Sequence, residues 1–193
     1  MTEIELTALS DTGQADSLLS DLNRGAVFIY PTDTLYGIGG NFFSHQLIER
    51  IDNIKGRGDK PYSVAVSDIE MLTGLVKRVP DLFYQKFAEL LPGKYTFLFE
   101  AADHIDGRLL KGSSKIGIRI PDMPPLLTLI ARFGKPIVTT SVNSSGEAPL
   151  NSASAIRDFI QRNRLIGEID YLIDGGDLKK SGGSTIVDLT GAE

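Results

Sequence analysis

Cysteine is absent from the 193-residue chain, which excludes disulfides, zinc fingers, iron–sulfur clusters and a cysteine nucleophile. Histidine is scarce: His45 falls at a predicted helix start and His104 in a predicted loop, neither within a polar cluster. A Ser–His–Asp machine is therefore unsupported. No His/Asp/Glu set has metal-ligand spacing, so no protein metal site is expected. No apolar run approaches the ~20 residues of a membrane helix. Residues 1–5 (MTEIE) carry neither a basic n-region nor an apolar h-region, so the expectation is a cytoplasmic protein without a signal peptide. Positive charge is not in excess either. Twenty Lys and Arg against 25 Asp and Glu leave a net charge of −5, which disfavours a dedicated nucleic-acid coat or a polybasic membrane binder but not a local basic patch. The P-loop pattern Gly-x-x-x-x-Gly-Lys-Ser/Thr is also missing.

A chain with 41% hydrophobic and 23% charged residues at this length predicts one globular domain spanning residues 1–193. Helical and extended patterns alternate along it. Ala15, Leu18, Leu19 and Leu22 predict an amphipathic helix over 14–24, and Leu47, Ile48, Ile51 and Ile54 a second one ending near Gly56. Further helices are expected at 68–76, 80–91, around Leu126 to Phe133, and from Ala153 with Asn151 or Ser152 as N-cap. Strands are expected at 26–30, 62–66, 95–99, 116–120, 136–140, 171–173 and 185–187. The alternation predicts an α/β domain whose sheet is covered on both faces, and the mix of connection lengths predicts a mixed sheet.

Five segments carry polar chemistry. Pro31-Thr32-Asp33-Thr34-Leu35-Tyr36-Gly37-Ile38-Gly39-Gly40 follows a buried strand directly, where open α/β sheets commonly place ligands. A Pro/Gly turn with capping Thr and Asp satisfies the same pattern. Lys55-Gly56-Arg57-Gly58-Asp59-Lys60-Pro61 sends three cations from a helix end, suited to a polyphosphate or simply to the helix dipole. Arg119 alternates with apolar neighbours in Ile118-Arg119-Ile120-Pro121; if inward, it requires an anion such as a substrate carboxylate. In Thr139-Thr140-Ser141-Val142-Asn143-Ser144-Ser145-Gly146 an apolar strand runs into hydroxyls and an amide, with Ser141 and Asn143 on one side of an extended backbone; a Ser/Asn-rich loop capping the next helix satisfies the same pattern. Asp174-Gly175-Gly176 and Ser181-Gly182-Gly183-Ser184-Thr185 fit an anion-binding nest or a flexible hairpin. Together they are rich in cations, hydroxyls and backbone N–H, and poor in bases and nucleophiles. That profile suits phosphoryl or nucleotidyl transfer, in which positioning and charge neutralisation supply most of the catalysis.

In this order and spacing, Pro31–Gly37, Lys55-Gly56-Arg57, Pro92-Gly93-x-x-Thr96, Ile118–Pro121, Ser141–Gly146 and Ser184-Thr185-Ile186-Val187-Asp188 resemble the YrdC-like family of threonylcarbamoyl-AMP synthases over about residues 14–190. The resemblance implies a three-layer α/β domain with a twisted mixed sheet flanked by helices and a concave site. It implies formation of L-threonylcarbamoyladenylate and pyrophosphate from L-threonine, bicarbonate and ATP, with Mg²⁺ arriving on the nucleotide. A tRNA threonylcarbamoyl transferase would be the downstream partner. By the same resemblance Lys55, Arg57, Ser141 and Asn143 form the catalytic set. Lys55, Arg57, Lys115 and Ser141, supported by Asn143, would contact ATP, and Thr34, Arg119, Thr139 and Ser184 would hold threonine. The competing expectation is a module of the same fold that binds tRNA or double-stranded RNA without synthase activity. Carbamoyl transfer, as in the related hydrogenase-maturation domain, comes with zinc motifs that a cysteine-free chain lacks.

Overall fold

Nine strands make one mixed sheet in the computed structural model, which describes residues 1–10, 12–56, 61–144 and 147–191. They are β1 (Thr2–Glu5), β2 (Phe28–Pro31), β3 (Tyr36–Gly39), β4 (Ser63–Ala65), β5 (Tyr95–Glu100), β6 (Lys115–Arg119), β7 (Ile137–Ser141), β8 (Tyr171–Asp174) and β9 (Thr185–Asp188). Their spatial order is β1-β8-β2-β3-β7-β4-β6-β5-β9. Pairing is parallel at β1/β8, β8/β2, β4/β6 and β5/β9, and antiparallel at β2/β3, β3/β7, β7/β4 and β6/β5.

Residue alternation explains the layers. Phe28 and Tyr30 join one buried cluster, whereas Val27 and Ile29 join another. This is the period-two signature of a strand covered on both sides. Helices α1 (Thr12–Asn23) and α5 (Pro124–Phe133) bring Leu18, Leu22, Leu126 and Ile130 to the first cluster. Helices α2 (His45–Lys55) and α6 (Ala153–Arg162) bring Leu47, Ile51, Ile156 and Ile160 to the second, which also takes Leu72 of α3 (Ile69–Thr73) and Phe83 of α4 (Asp81–Lys86). Full burial of such a side chain contributes roughly 1.5–3 kcal/mol, so the two helix layers fix the sheet between them. The result is the three-layer α/β architecture with helices on both faces of a mixed sheet.

Local signals set the helix ends. The Ser44 hydroxyl accepts from the Leu47 amide (3.2 Å) at the start of α2, and Gly56 closes it in the left-handed region (φ 60°). Of the two candidate caps of α6, Ser152 is the one used. Two strands lie where no strand was expected. β1 is a short polar segment at the sheet edge, and β3 occupies the glycine-rich stretch that reads as loop. The expected 80–91 helix stops at Lys86, because Phe87 leaves helical geometry (φ −124°) and packs its ring against Phe97 at 5.6 Å.

Candidate active site

Register places most of the polar residues on one face of the sheet. Opposed partners share a face, and so do residues two apart in a strand. Tyr30 opposes Gly37, Gly37 opposes Ser141, Thr139 opposes Ser63, Ser63 aligns with Gly117, and Arg119 aligns with Ala65. Thr96 lies two residues from Leu98, which opposes Gly117. α1 and α5 cover this face at Phe28, Tyr30, Ala65 and Ile137; the remainder stays open. Glycines make that open part concave. A Cβ on Gly37 would come within 3.1 Å of the Tyr30 ring and 3.2 Å of Thr139 Oγ1, and one on Gly117 within 3.2 Å of Ser63 Oγ. The resulting cleft holds about 290 Å³, near the lower end of small-molecule sites. Thr34, Arg119, Thr139, Ser141 and Ser184, all expected from the sequence, line it together.

Arg119, at the end of β6, points inward with its side chain 8% exposed. The anion it requires is supplied by the protein itself: Nη2 donates to Asp33 Oδ1 at 2.5 Å, and Nη1 to Thr34 Oγ1 at 3.2 Å. Arg119 Nε and Asp33 Oδ2 are buried and have no partner among the described residues. Asp33 reaches Arg119 because the β2–β3 turn is locked. The Thr32 amide donates to Leu35 O (3.1 Å), the Thr32 hydroxyl donates to the same carbonyl (2.7 Å), and that hydroxyl accepts from the amides of Thr34 and Leu35 (both 3.2 Å). This is the side-chain-capped turn that Thr and Asp favour. Burial pulls the Arg119 pKa below the ordinary arginine value, while the charge of Asp33 opposes the shift.

Lys55 ends α2, which packs on the opposite face, and it reaches the C-terminal end of β7 from there. Its ammonium donates to Ser141 O (2.6 Å), Asn143 O (2.8 Å) and Asn143 Oδ1 (2.7 Å). Ser141 Oγ donates to the same Asn143 Oδ1 at 2.7 Å, and Asn143 Nδ2 donates to Glu147 O at 2.7 Å. Lys55, Ser141 and Asn143 thus form one network, of which Ser141 lines the cleft while Lys55 and Asn143 stand behind it. Lys115 shares the site face but sits four residues from Arg119, about 13 Å along a strand. It is half-exposed, is paired with Asp188 at 2.7 Å, and does not line the cleft. Arg57 lies outside the described residues, as do Gly58 to Lys60, Ser145 and Gly146.

The hydroxyl lining is braced from within. Thr96 Oγ1 and Ser184 Oγ lie 2.6 Å apart. The Tyr30 hydroxyl donates to Val138 O at 3.0 Å beneath Thr139. Burial pushes the Tyr30 phenol far above its ordinary pKa, so it stays neutral despite the nearby charge of Arg119. Several lining residues were not singled out from the sequence: Tyr62, Ser63 and Pro149, with Thr96 noted only as part of a motif. Ser63 and Thr96 share the face of Arg119 only through the sheet register, and for Tyr62 and Pro149 no sequence signal pointed to the cleft. Among the described residues, Arg24, Arg50, Lys77, Arg108, Lys111, Arg132 and Arg157 are each paired with a carboxylate, an arrangement that does not favour the RNA-binding alternative. No helix among them is long and apolar enough to cross a membrane.

The fold and cleft define an α/β protein with a hydroxyl-lined cleft around a buried arginine on the uncovered part of one sheet face. The Sua5/YciO/YrdC family model, described as telomere recombination, matches residues 20–193, and the chain belongs to that family. It is 29% identical to the threonylcarbamoyl-AMP synthase of Pyrococcus abyssi over 171 residues, covering 88% of this chain and 48% of the relative. The crystal structure of P. abyssi Sua5 complexed with L-threonine superposes with a TM-score of 0.85 at 25% identity, covering 98% of this chain and 54% of that one. The crystal structure of E. coli YciO gives a TM-score of 0.81 at 26% identity, covering 92% and 84%. The chain spans about half the length of the P. abyssi relative.

Proposed function

We propose that this chain is an L-threonylcarbamoyladenylate synthase, a nucleotidyltransferase acting as one domain over residues 1–193. It joins L-threonine, bicarbonate and ATP, releases pyrophosphate, and supplies the threonylcarbamoyl group to a tRNA-modifying transferase. The observation that carries the reading is the buried Arg119 in an amino-acid-sized cleft of hydroxyls, in a chain similar to a synthase whose structure holds L-threonine.

The threonine amine adds to bicarbonate with loss of water to give a carbamate. A carbamate oxygen then attacks the α-phosphorus, and the bond to pyrophosphate breaks with its electrons leaving on pyrophosphate. Arg119 receives the amino-acid carboxylate, and the hydroxyls of Thr34, Thr139 and Ser184 fix its orientation, which makes the encounter effectively unimolecular. Ser141 faces the nucleotide, and Lys55 with Asn143 keeps that loop in place, its positive charge lying beside the phosphates. Lys115 on the rim and Arg57 add charge for the phosphate tail. Among the described residues the cleft lining holds no carboxylate to cage Mg²⁺, so the ion would remain on phosphates and water, as Mg²⁺ prefers.

Calorimetric titration of L-threonine and ATP into the chain, alongside pyrophosphate release, tests the reading. Threonine-dependent release that is lost in Arg119→Met is the expected result. A chain that binds ATP yet releases no pyrophosphate on adding threonine and bicarbonate contradicts it.

A further inference from the structure

The Arg119–Asp33 pair is made with one prong. Arginine and carboxylate usually meet as a two-pronged fork when both are free to turn. Here only Nη2 meets Oδ1, and among the described residues Nε and Oδ2 have no partner and are buried. The side chains are 8% and 5% exposed, so water does not make up the missing bonds freely, and an incomplete buried pair is costly to keep. The locked Thr32–Leu35 turn fixes the Asp33 backbone, while Thr34 Oγ1 takes the other terminal nitrogen. The guanidinium is therefore held at two points by one turn. Arg119 lines the cleft and Asp33 does not.

We infer that Asp33 is a positioning residue for amino-acid recognition: it keeps the Arg119 guanidinium turned into the cleft to receive a substrate carboxylate, without touching the substrate. Arg119 lies deep in the protein, and a lone charge there would either drag in water or rotate towards another acceptor. Asp33 compensates that charge from the side away from the cleft. The pair is neutral as a unit, so a zwitterionic amino acid meets an arginine whose position is already set. This inference rests on the synthase reading for the identity of the amino acid.

The test titrates L-threonine and ATP separately into the full chain carrying Asp33→Asn, Arg119→Met or both. Asp33→Asn should weaken threonine about tenfold or more and change ATP affinity by less than about twofold. In the Arg119→Met background, adding Asp33→Asn should weaken threonine no further, because the two act through one contact. Equal weakening of threonine and ATP, independent effects of the two substitutions, or an unchanged threonine affinity overturns the inference. Should Asp33→Asn fail to fold, Asp33→Glu retains the charge but displaces it; it should still weaken threonine selectively, and equal effects on both ligands again overturn the inference. If the unsubstituted chain turns over threonine while Asp33→Asn leaves threonine affinity unmoved, only this inference falls. If the unsubstituted chain binds no threonine, the synthase reading falls and takes the inference with it.

Discussion

Among the described residues Lys55 carries its charge to three oxygens of its own chain, and this defines its role at the residue scale. A buried ammonium with three acceptors among the described residues is worth more than an exposed ion pair, because removing it takes a donor from Ser141 O and Asn143 O and leaves Asn143 Oδ1 with the Ser141 hydroxyl. Lys55→Met should lower stability by about 2 kcal/mol, read as a shift in the urea midpoint at unchanged slope. It should also abolish pyrophosphate release. Tyr36 gives a pH signature. Its hydroxyl donates to Gly176 O and accepts from the Gly175 amide, both at 2.9 Å, and burial pushes the phenol up to about 12 from 10.0. Below pH 10 both folded and unfolded chains hold the proton. Between pH 10 and 12 the unfolded chain releases it while the folded chain keeps it, so stability falls as pH rises. Tyr36→Phe should flatten that part of the melting-temperature profile, and an unchanged slope would contradict the assignment. The need of an inward Arg119 for an anion was legible in the sequence. That Asp33, 86 residues earlier, meets it was not, because pairing at that separation is set by sheet register and not by local pattern.

Strand β3 carries the lesson at the scale of elements. Tyr36-Gly37-Ile38-Gly39 has the composition of a turn, and glycine weakens an isolated strand. It is a strand because β2 and β7 pair with it on both sides and come closer than any side chain on that face permits. A Cβ on Gly39 would fall 1.7 Å from the Val138 carbonyl oxygen. Gly39→Ala should therefore destabilise the protein by about 3 kcal/mol or more, measured by thermal or urea unfolding. Gly167→Ala is the contrast: among the described residues nothing lies within 4 Å of its Cβ position and its backbone is ordinary, so its effect should stay within about 0.5 kcal/mol. The helices with strong apolar periodicity, α1, α2, α5 and α6, were readable because their burial patterns repeat locally. The edge strand β1 was not, since only Ile4 of its four residues is buried.

Over the whole molecule, the site is where a covered sheet face runs out of cover. α1 and α5 shield one part of that face, glycines hollow the next, and Arg119, Thr34, Thr139, Ser141 and Ser184 meet there from four separate segments. Sequence motifs supplied the residue types and parity explains their common face, but the depth of the cleft required the sheet order. Lys115 shows the same limit: its type suits a phosphate, but its pairing with Asp188, 73 residues later in the chain, is set by the sheet and not by local pattern. The most direct measurement of the central claim supplies ¹³C-bicarbonate, L-threonine and ATP to the purified chain and identifies the nucleotide product by mass spectrometry. Threonylcarbamoyl-AMP carrying one ¹³C, formed only with threonine present and absent from Arg119→Met, is the predicted result. Correctly folded protein that leaves ATP and threonine unjoined, or that gives the same product without Arg119, would contradict the account.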